Sequence, residues 1–304
     1  DSIGYFSSCY SGENNLFKNK SIHLCSCCGL HYVHEMPSDA ELNEYNSWYW
    51  GNAHSHTISS SYENPWFNLV ASLRHKYLDE HINLNGLSIL EIGPGEGYLA
   101  KRILSNHQNI TYDVVETDIS AQLALKTLPV NIFNELTCIP AGQQYDLIIA
   151  SHVLEHVSNP KQFISKIKSF IRRSGQLFVE VPCLDFLYKS IHDPHLLFFD
   201  KPSLDFLLNI HSFDILDSSY AGQEIDSIPK AKLQTLLQSI FYRVFLKLSK
   251  RFNLPWIFDV FFSNKKFLSA LDTPNQKLMC LFYSCHVQSV KPSRWLRTIA
   301  INSK

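Results

Sequence analysis

Glu91-Ile92-Gly93-Pro94-Gly95-Glu96-Gly97-Tyr98 decides how this chain folds. The stretch closes an apolar run, Leu87 to Ile92, and opens a helical one, Tyr98 to Ser105. An open α/β sheet presents its ligand crevice where a strand ends and a helix begins. Glycines there permit the tight turn and let a ligand approach the backbone. The nicotinamide fingerprint GxGxxG needs glycine at position 98, where Tyr98 stands. The spacing here is GxGxG, with an acid two residues before the first glycine. A tight strand–helix turn that binds nothing is the competing reading.

Working outward, the neighbouring segments repeat the pattern. Phe67, Leu69, Val70, Leu73 and Leu78 follow helical spacing until Asn83, Asn85 and Gly86 break it. A second apolar run, Ile110 to Val115, ends in acids, and Asp118 lies 21 residues beyond Gly97. A carboxylate at that strand end can accept both ribose hydroxyls of a nucleoside, and Glu116 competes with Asp118 for the role. A third run, Tyr145 to Ala150, leads into a helix with Phe163, Ile164, Ile167 and Phe170. A fourth, Gln176 to Val181, stops at Pro182. Short apolar runs alternating with helices predict a mostly parallel sheet with crossover helices. The expected organisation is a cysteine-containing module over 1–60, an α/β core over 61–222 and a helical element over 223–304. The last of these ends in a strand, Leu278 to Val287, that can complete the sheet.

Composition narrows the function. With 304 residues and 45% apolar content the chain can bury a sizeable core. Twenty-seven basic against twenty-eight acidic residues leave no field for holding nucleic acid through many phosphates. No run of eighteen apolar residues encodes a membrane span. The stretch from Asp1 does not read as a charged-then-apolar leader, so no secretion signal is expected from it, and the eight cysteines are scattered apart from a trio at 25, 27 and 28. A core of this size does not need disulfides, so a reducing, cytoplasmic location is expected.

EIGPGEG (91–97), VVETDIS (114–120), YDLIIASHVLEHVSNPKQF (145–163) and GQLFVEVP (175–182) resemble, in order, the motif series of class I S-adenosylmethionine-dependent methyltransferases. The resemblance covers roughly residues 86–182, and LEHV-x-x-P is similar to the small-molecule members. It implies a seven-stranded Rossmann-like sheet and adenosylmethionine as cofactor, lying across Gly93, Gly95 and Gly97. It also implies Glu91 near the methionine amine, Asp118 on the ribose, and Ser151 and His152 beside the methionine portion. The adenine contact falls in the poorly matching 131–136 stretch, with Asn134 as the candidate.

His152-Val153-Leu154-Glu155-His156 also spells HxxEH, an inverted zinc-protease motif. That reading needs both histidines on one helix, whereas His152 stands at a strand exit. A buried His156 that holds the turn by hydrogen bonding is the plainer alternative. At the amino-terminal end, Cys25-Ser26-Cys27-Cys28-Gly29 contains a CxxCG knuckle, and Cys25 and Cys28 are the candidate zinc ligands. Cys25 to Tyr45 resembles the second half of the zinc-ribbon module that precedes many sugar and natural-product methyltransferases. The expected earlier pair reads Ser8-Cys9-Tyr10-Ser11-Gly12, which puts the zinc in doubt.

A sulfonium donor is already activated, so positioning of the acceptor supplies most of the acceleration. A base is needed only for a hydroxyl or carbon acceptor, and histidine suits neutral pH. His192-Asp193-Pro194-His195 follows the fourth run and resembles a histidine pair found there in family members. His195 is the first candidate for base or acceptor contact, His192 the second and His152 the third. A histidine that merely caps the next helix is the competing reading. Tyr45, Trp48, Tyr49 and Trp50 can wall the pocket or simply pack.

The leading functional reading is therefore a methyltransferase acting on a small molecule, a saccharide or a secondary-metabolite intermediate. A non-catalytic partner subunit of the same fold and a nicotinamide-dependent oxidoreductase are the alternatives. Residues 228–262 carry an apolar stripe, Leu233 to Leu248, among lysines and arginines. It reads as a lid or homodimer seam, with peripheral membrane contact as the alternative.

Overall fold

The apolar runs around the glycine turn become adjacent parallel strands. In the computed structural model, which describes residues 2–5, 16–17, 20–47, 65–188, 195–228, 285–303 and positions 244, 276 and 280, β4 (Ser88–Ile92) pairs in parallel with β5 (Thr111–Val115) and β7 (Tyr145–Ser151). β6 (Asn131–Phe133) extends the sheet beyond β5, and β8 (Ile171–Pro182) extends it beyond β7. Two long antiparallel strands, β10 (Phe213–Glu224) and β12 (Ser293–Asn302), follow with β11 (Cys285–Ser289). The order is β11-β10-β12-β8-β7-β4-β5-β6.

The α/β Rossmann-like class matches the expectation, with one difference in count. Eight described strands form this sheet instead of seven, because β11 pairs outside β10. The strand expected over 278–287 is Cys285–Ser289, and the longer Ser293–Asn302 was not anticipated. Arg294 and Arg297 interrupt its apolar pattern, and a buried partner for Arg297 sits more than a hundred residues earlier.

Alternation along the central strands feeds two cores. Leu90, Ile92, Ile148, Leu177 and Val179 face one side, and Ile89, Leu147, Ile149 and Phe178 face the other. The second face is covered by α2 (Pro65–His81) and α3 (Tyr98–Asn106) through Leu69, Leu73, Leu99 and Ile103. The first is covered by α5 (Pro160–Lys168) and α6 (Lys201–Ile210) through Ile164, Ile167, Leu204 and Leu208. Each of these two helices starts where local chemistry dictates. Asn159 caps α5 ahead of Pro160, and Asp200 forms a capping box with Ser203 at the start of α6. α4 (Ile119–Leu125) lies between β5 and β6.

The amino-terminal module adds a second sheet, β1 (Ser2–Tyr5), β2 (Ser21–Leu24) and β3 (His31–Val33), followed by α1 (Asp39–Asn46). This sheet is completed by β9 (Leu197–Phe198), which belongs to the segment just after His195. Val33 N–H also donates to the Leu196 carbonyl. The module is thus stitched to the segment that carries His195.

The chain leaves β4, builds β5 and β6 on one side, then returns to place β7 on the other. That reversal is a topological switch point, and the crevice outside the carboxyl ends of β4 and β7 is where such sheets take ligands. The apolar stripe Leu233–Leu248 lies outside the described residues except for Val244, which is helical and half exposed. No helix among the described residues is long and apolar enough to cross a membrane.

Candidate active site

A cleft of about 440 Å³ opens at the switch point. Gly93, Pro94 and Gly95 line one end, together with Glu91, Glu116 and Asp118. His152, Glu155, His156 and His195 line the other.

The glycine turn is built from left-handed backbone. Gly93, Gly95 and Gly97 have φ of 65°, 56° and 78°. A Cβ on Gly93 would come within 2.8 Å of Val153, and one on Gly97 within 2.7 Å of Leu125. The left-handed backbone of Gly97 favours glycine, a Cβ there would also press on Leu125 and Leu128, and Gly97 does not line the cleft, unlike Gly93 and Gly95. Tyr98, where a nicotinamide fingerprint needs glycine, stacks obliquely on Phe67 with ring centroids 5.6 Å apart.

The acids beneath this turn are buried. Glu91 accepts a hydrogen bond from the Tyr112 hydroxyl at 2.7 Å. Burial pushes its carboxyl up to about 7, against the pull of that hydrogen bond. Glu116 accepts from the N–H groups of Gly95 (3.0 Å) and Asp118 (2.9 Å), and burial raises it to about 7 as well. Asp118 caps α4 by accepting from the Ser120 and Ala121 N–H groups. Both Glu116 and Asp118 thus reach the cleft: Glu116 fastens the glycine turn, and Asp118 starts the next helix. Asn134 does not line the cleft; its side-chain oxygen accepts from Gln122 at 3.0 Å.

On the other end, His152 adopts φ of 57° immediately after β7, a conformation a non-glycine residue holds only when its surroundings demand it. Its Nδ1 lies 3.1 Å from Glu155 and its Nε2 3.2 Å from Glu180. Burial by itself would lower the imidazole pKa; the two carboxylates outweigh it and raise it. Ser151 donates to Glu180 at 3.3 Å. Glu180 is fully buried between Arg74, at 2.6 Å, and Arg297, and these cations overcome burial to hold its carboxyl well below the usual range. Glu155 is also held low: burial opposes it, and His152, His156 and His195 prevail.

His195 is buried, with Nδ1 2.9 Å from Asp185 and its ring edge-on to His156 at 5.0 Å. Glu155, His156 and His195 bring ligand atoms within 4.8 Å of one another, a donor set that suits a divalent cation among the described residues. The inverted zinc-protease reading is not supported by the backbone, because His152 is left-handed and Leu154–His156 is a single 3-10 turn. His192, Trp48, Tyr49 and Trp50 lie outside the described residues, and Tyr45 packs edge-on against Phe17. Asn46, at the end of α1, does reach the cleft wall.

Cys25 and Cys28 occupy the β2–β3 turn, where Gly29 N–H donates to the Cys25 carbonyl. Hydrogen bonds from Cys28 and Cys27 lower the Cys25 thiol, while burial raises that of Cys28. Neither belongs to a three-ligand cluster among the described residues, and Cys9 lies outside them.

Sequence reading missed Asp185, Glu180, Arg74, Arg297, Trp295 and Arg294. Glu180 sat in plain view inside VEVP, where one acid in an apolar run signals a buried charge with a partner.

A doubly wound sheet with a GxGxG turn at its switch point and a buried acid after the next strand defines a Rossmann-like, nucleoside-binding class. Residues 62–239 match the profile of the methyltransferase domain family, and the chain belongs to that family. It is 30% identical over 116 residues to a ubiquinone biosynthesis O-methyltransferase of Stutzerimonas stutzeri (strain A1501), covering 36% of this chain and 50% of that protein. A mitochondrial ubiquinone biosynthesis O-methyltransferase of Dictyostelium discoideum is 25% identical over 120 residues, covering 33% and 36%. The chain thus spans half or less of the length of these curated relatives. Among solved structures, the [4+2]-cyclase SpnF is similar in fold, with a TM-score of 0.51 at 14% identity over 88% of this chain and 97% of that one.

Proposed function

We propose that the chain is an S-adenosylmethionine-dependent methyltransferase that methylates an oxygen of a small molecule. The observation that carries this is the shared cleft, with a glycine turn over buried acids at one end and a carboxylate-backed histidine at the other. The donor set fits the cofactor: Glu91 and Glu116 are buried acids raised to about 7, which a cationic ligand would stabilise in their charged form. When bound, adenosylmethionine supplies an electrophilic methyl on a sulfonium.

The chain's own residues supply the rest. Gly93 and Gly95 let the ligand approach the backbone, Glu91 takes the ammonium, and Asp118 takes the ribose hydroxyls. Trp66 and Trp295, with ring centroids 6.3 Å apart, wall the cleft and exclude water. In this reading His195, whose Nδ1 lies 2.9 Å from Asp185, accepts the proton of an acceptor hydroxyl as the oxygen attacks. The relatives named O-methyltransferases support oxygen as the acceptor atom. A saccharide or secondary-metabolite acceptor fits the same reading.

Transfer of labelled methyl from adenosylmethionine to a panel of hydroxylated aromatics, sugars and amines tests it. Labelling of one class, lost in His195→Ala, is expected. Labelling that survives in His195→Ala would remove the base assignment, and labelled amines alone would remove the oxygen.

A further inference from the structure

We propose that Arg294 forms an anion subsite, so that the acceptor carries a carboxylate or phosphate group. The inference rests on the methyltransferase reading for the word acceptor, and on the geometry of Arg294 for the anion.

Arg294 stands near the start of β12 and lines the cleft. Its Nε and Nη2 donate to one neutral oxygen, Oε1 of Gln223, at 3.2 and 2.9 Å. Gln223 is buried and anchored in turn by a hydrogen bond to the Ser227 carbonyl. That contact occupies the side edge of the guanidinium and fixes its plane. The Nη1–Nη2 edge remains, and a planar pair of N–H donors matches two oxygens of a carboxylate or phosphate. Other basic side chains in the wall already face carboxylates: Arg74 is on Glu180, His152 lies between Glu155 and Glu180, and His195 is beside Asp185. Among the described residues Arg294 is held by an amide and by no acid.

Position separates this group from the donor. β12 lies three strands from β4, about 14 Å at the usual spacing of strands, whereas the donor's glycines directly follow β4. The Arg294 carbonyl accepts from Cys183 N–H at 3.0 Å and from the Tyr188 hydroxyl at 3.3 Å. Those residues bracket Asp185 in the segment that leads to His195. The Arg294 backbone is therefore tied to the segment that carries Asp185, the partner of His195.

The test follows the Arg294 Nε–Hε resonance in protein carrying 15N-labelled arginine and saturated with adenosylhomocysteine. Benzoate and inorganic phosphate are titrated, with benzamide as the neutral control. Saturable shifts with either anion and none with benzamide are expected, benzoate alone marking a carboxylate site and phosphate alone a phosphate site. Anion binding read by calorimetry should weaken roughly tenfold or more in Arg294→Gln, the order for losing charge-assisted hydrogen bonds. Arg294→Lys, which keeps the charge but not the fork, should fall between, and thermal melting checks that both variants fold. Absence of saturable binding, or equal affinity in Arg294→Gln, would overturn the proposal. So would a resonance that adenosylhomocysteine itself shifts while blocking both anions, because Arg294 would then serve the donor. Calorimetry of adenosylhomocysteine alone reads the methyltransferase proposal separately, since the anion titration can also be run on the unliganded protein.

Discussion

Nδ1 of His195 lies 2.9 Å from Oδ2 of Asp185; both side chains are buried, and His195 lines the cleft. A carboxylate on one imidazole nitrogen fixes the tautomer and turns the other nitrogen into a proton acceptor. Asp185→Asn should leave the fold and donor affinity intact and reduce kcat by roughly 10²–10⁴-fold, the range for a general base. Single-turnover methyl transfer measures this. An unchanged kcat would show that His195 does not handle the proton.

Asp118 has two tasks, and substitutions separate them. It caps α4, and in the proposed function it binds the ribose. Asp118→Asn keeps a good cap but loses the charge, so adenosylhomocysteine affinity should fall with little change in stability. Asp118→Ala should lose the cap as well, at about 1 kcal/mol. Calorimetry and urea unfolding on the pair give the two numbers. Equal affinity in all three proteins would transfer the ribose to Glu116.

Glu91 and Glu116 make donor binding depend on pH. Their folded-state values near 7 lie above the unfolded value, so between about pH 4.5 and 7 the empty protein holds more protons folded than unfolded. The contribution of these groups to stability is therefore largest at the acid end and is lost as pH rises through 7. A cationic ligand favours the charged carboxylates, so binding near pH 6.5 should release protons, and affinity should tighten as pH rises from 6 to 8. Calorimetry in buffers of different ionisation enthalpy detects the release. Glu91→Gln should reduce it, and proton uptake would contradict the assignment.

The buried Glu180–Arg297 pair joins β8 to β12, and Arg297 also donates to the Leu73 and Val287 carbonyls. Removing one partner strands the other charge, so Glu180→Gln or Arg297→Met should each cost about 3–5 kcal/mol. The double variant should be less damaging than the sum. Additive losses in urea would show that the pair is not coupled.

The residues legible in sequence are those whose reasons are local. Leu87–Ile92 and Tyr145–Ala150 read as buried strands because both faces of a central parallel strand are covered. The glycine turn read as a ligand crevice because of where it sits between strand and helix. β10 and β12 did not, because polar residues run through both and the pairing that buries them is long-range. Arg297 is the sharpest case: a fully buried arginine in a strand makes sense only beside Glu180, 117 residues earlier. His195 was chosen by resemblance, but Asp185 depends on a left-handed turn at Leu184 that no spacing announces.

The most direct test of the central claim is calorimetric titration of the purified chain with adenosylhomocysteine, with NADH in parallel. One site per chain for adenosylhomocysteine, weakened in Asp118→Asn, and a much weaker response to NADH are the predicted results. No binding of adenosylhomocysteine, or tighter binding of NADH, would contradict the account.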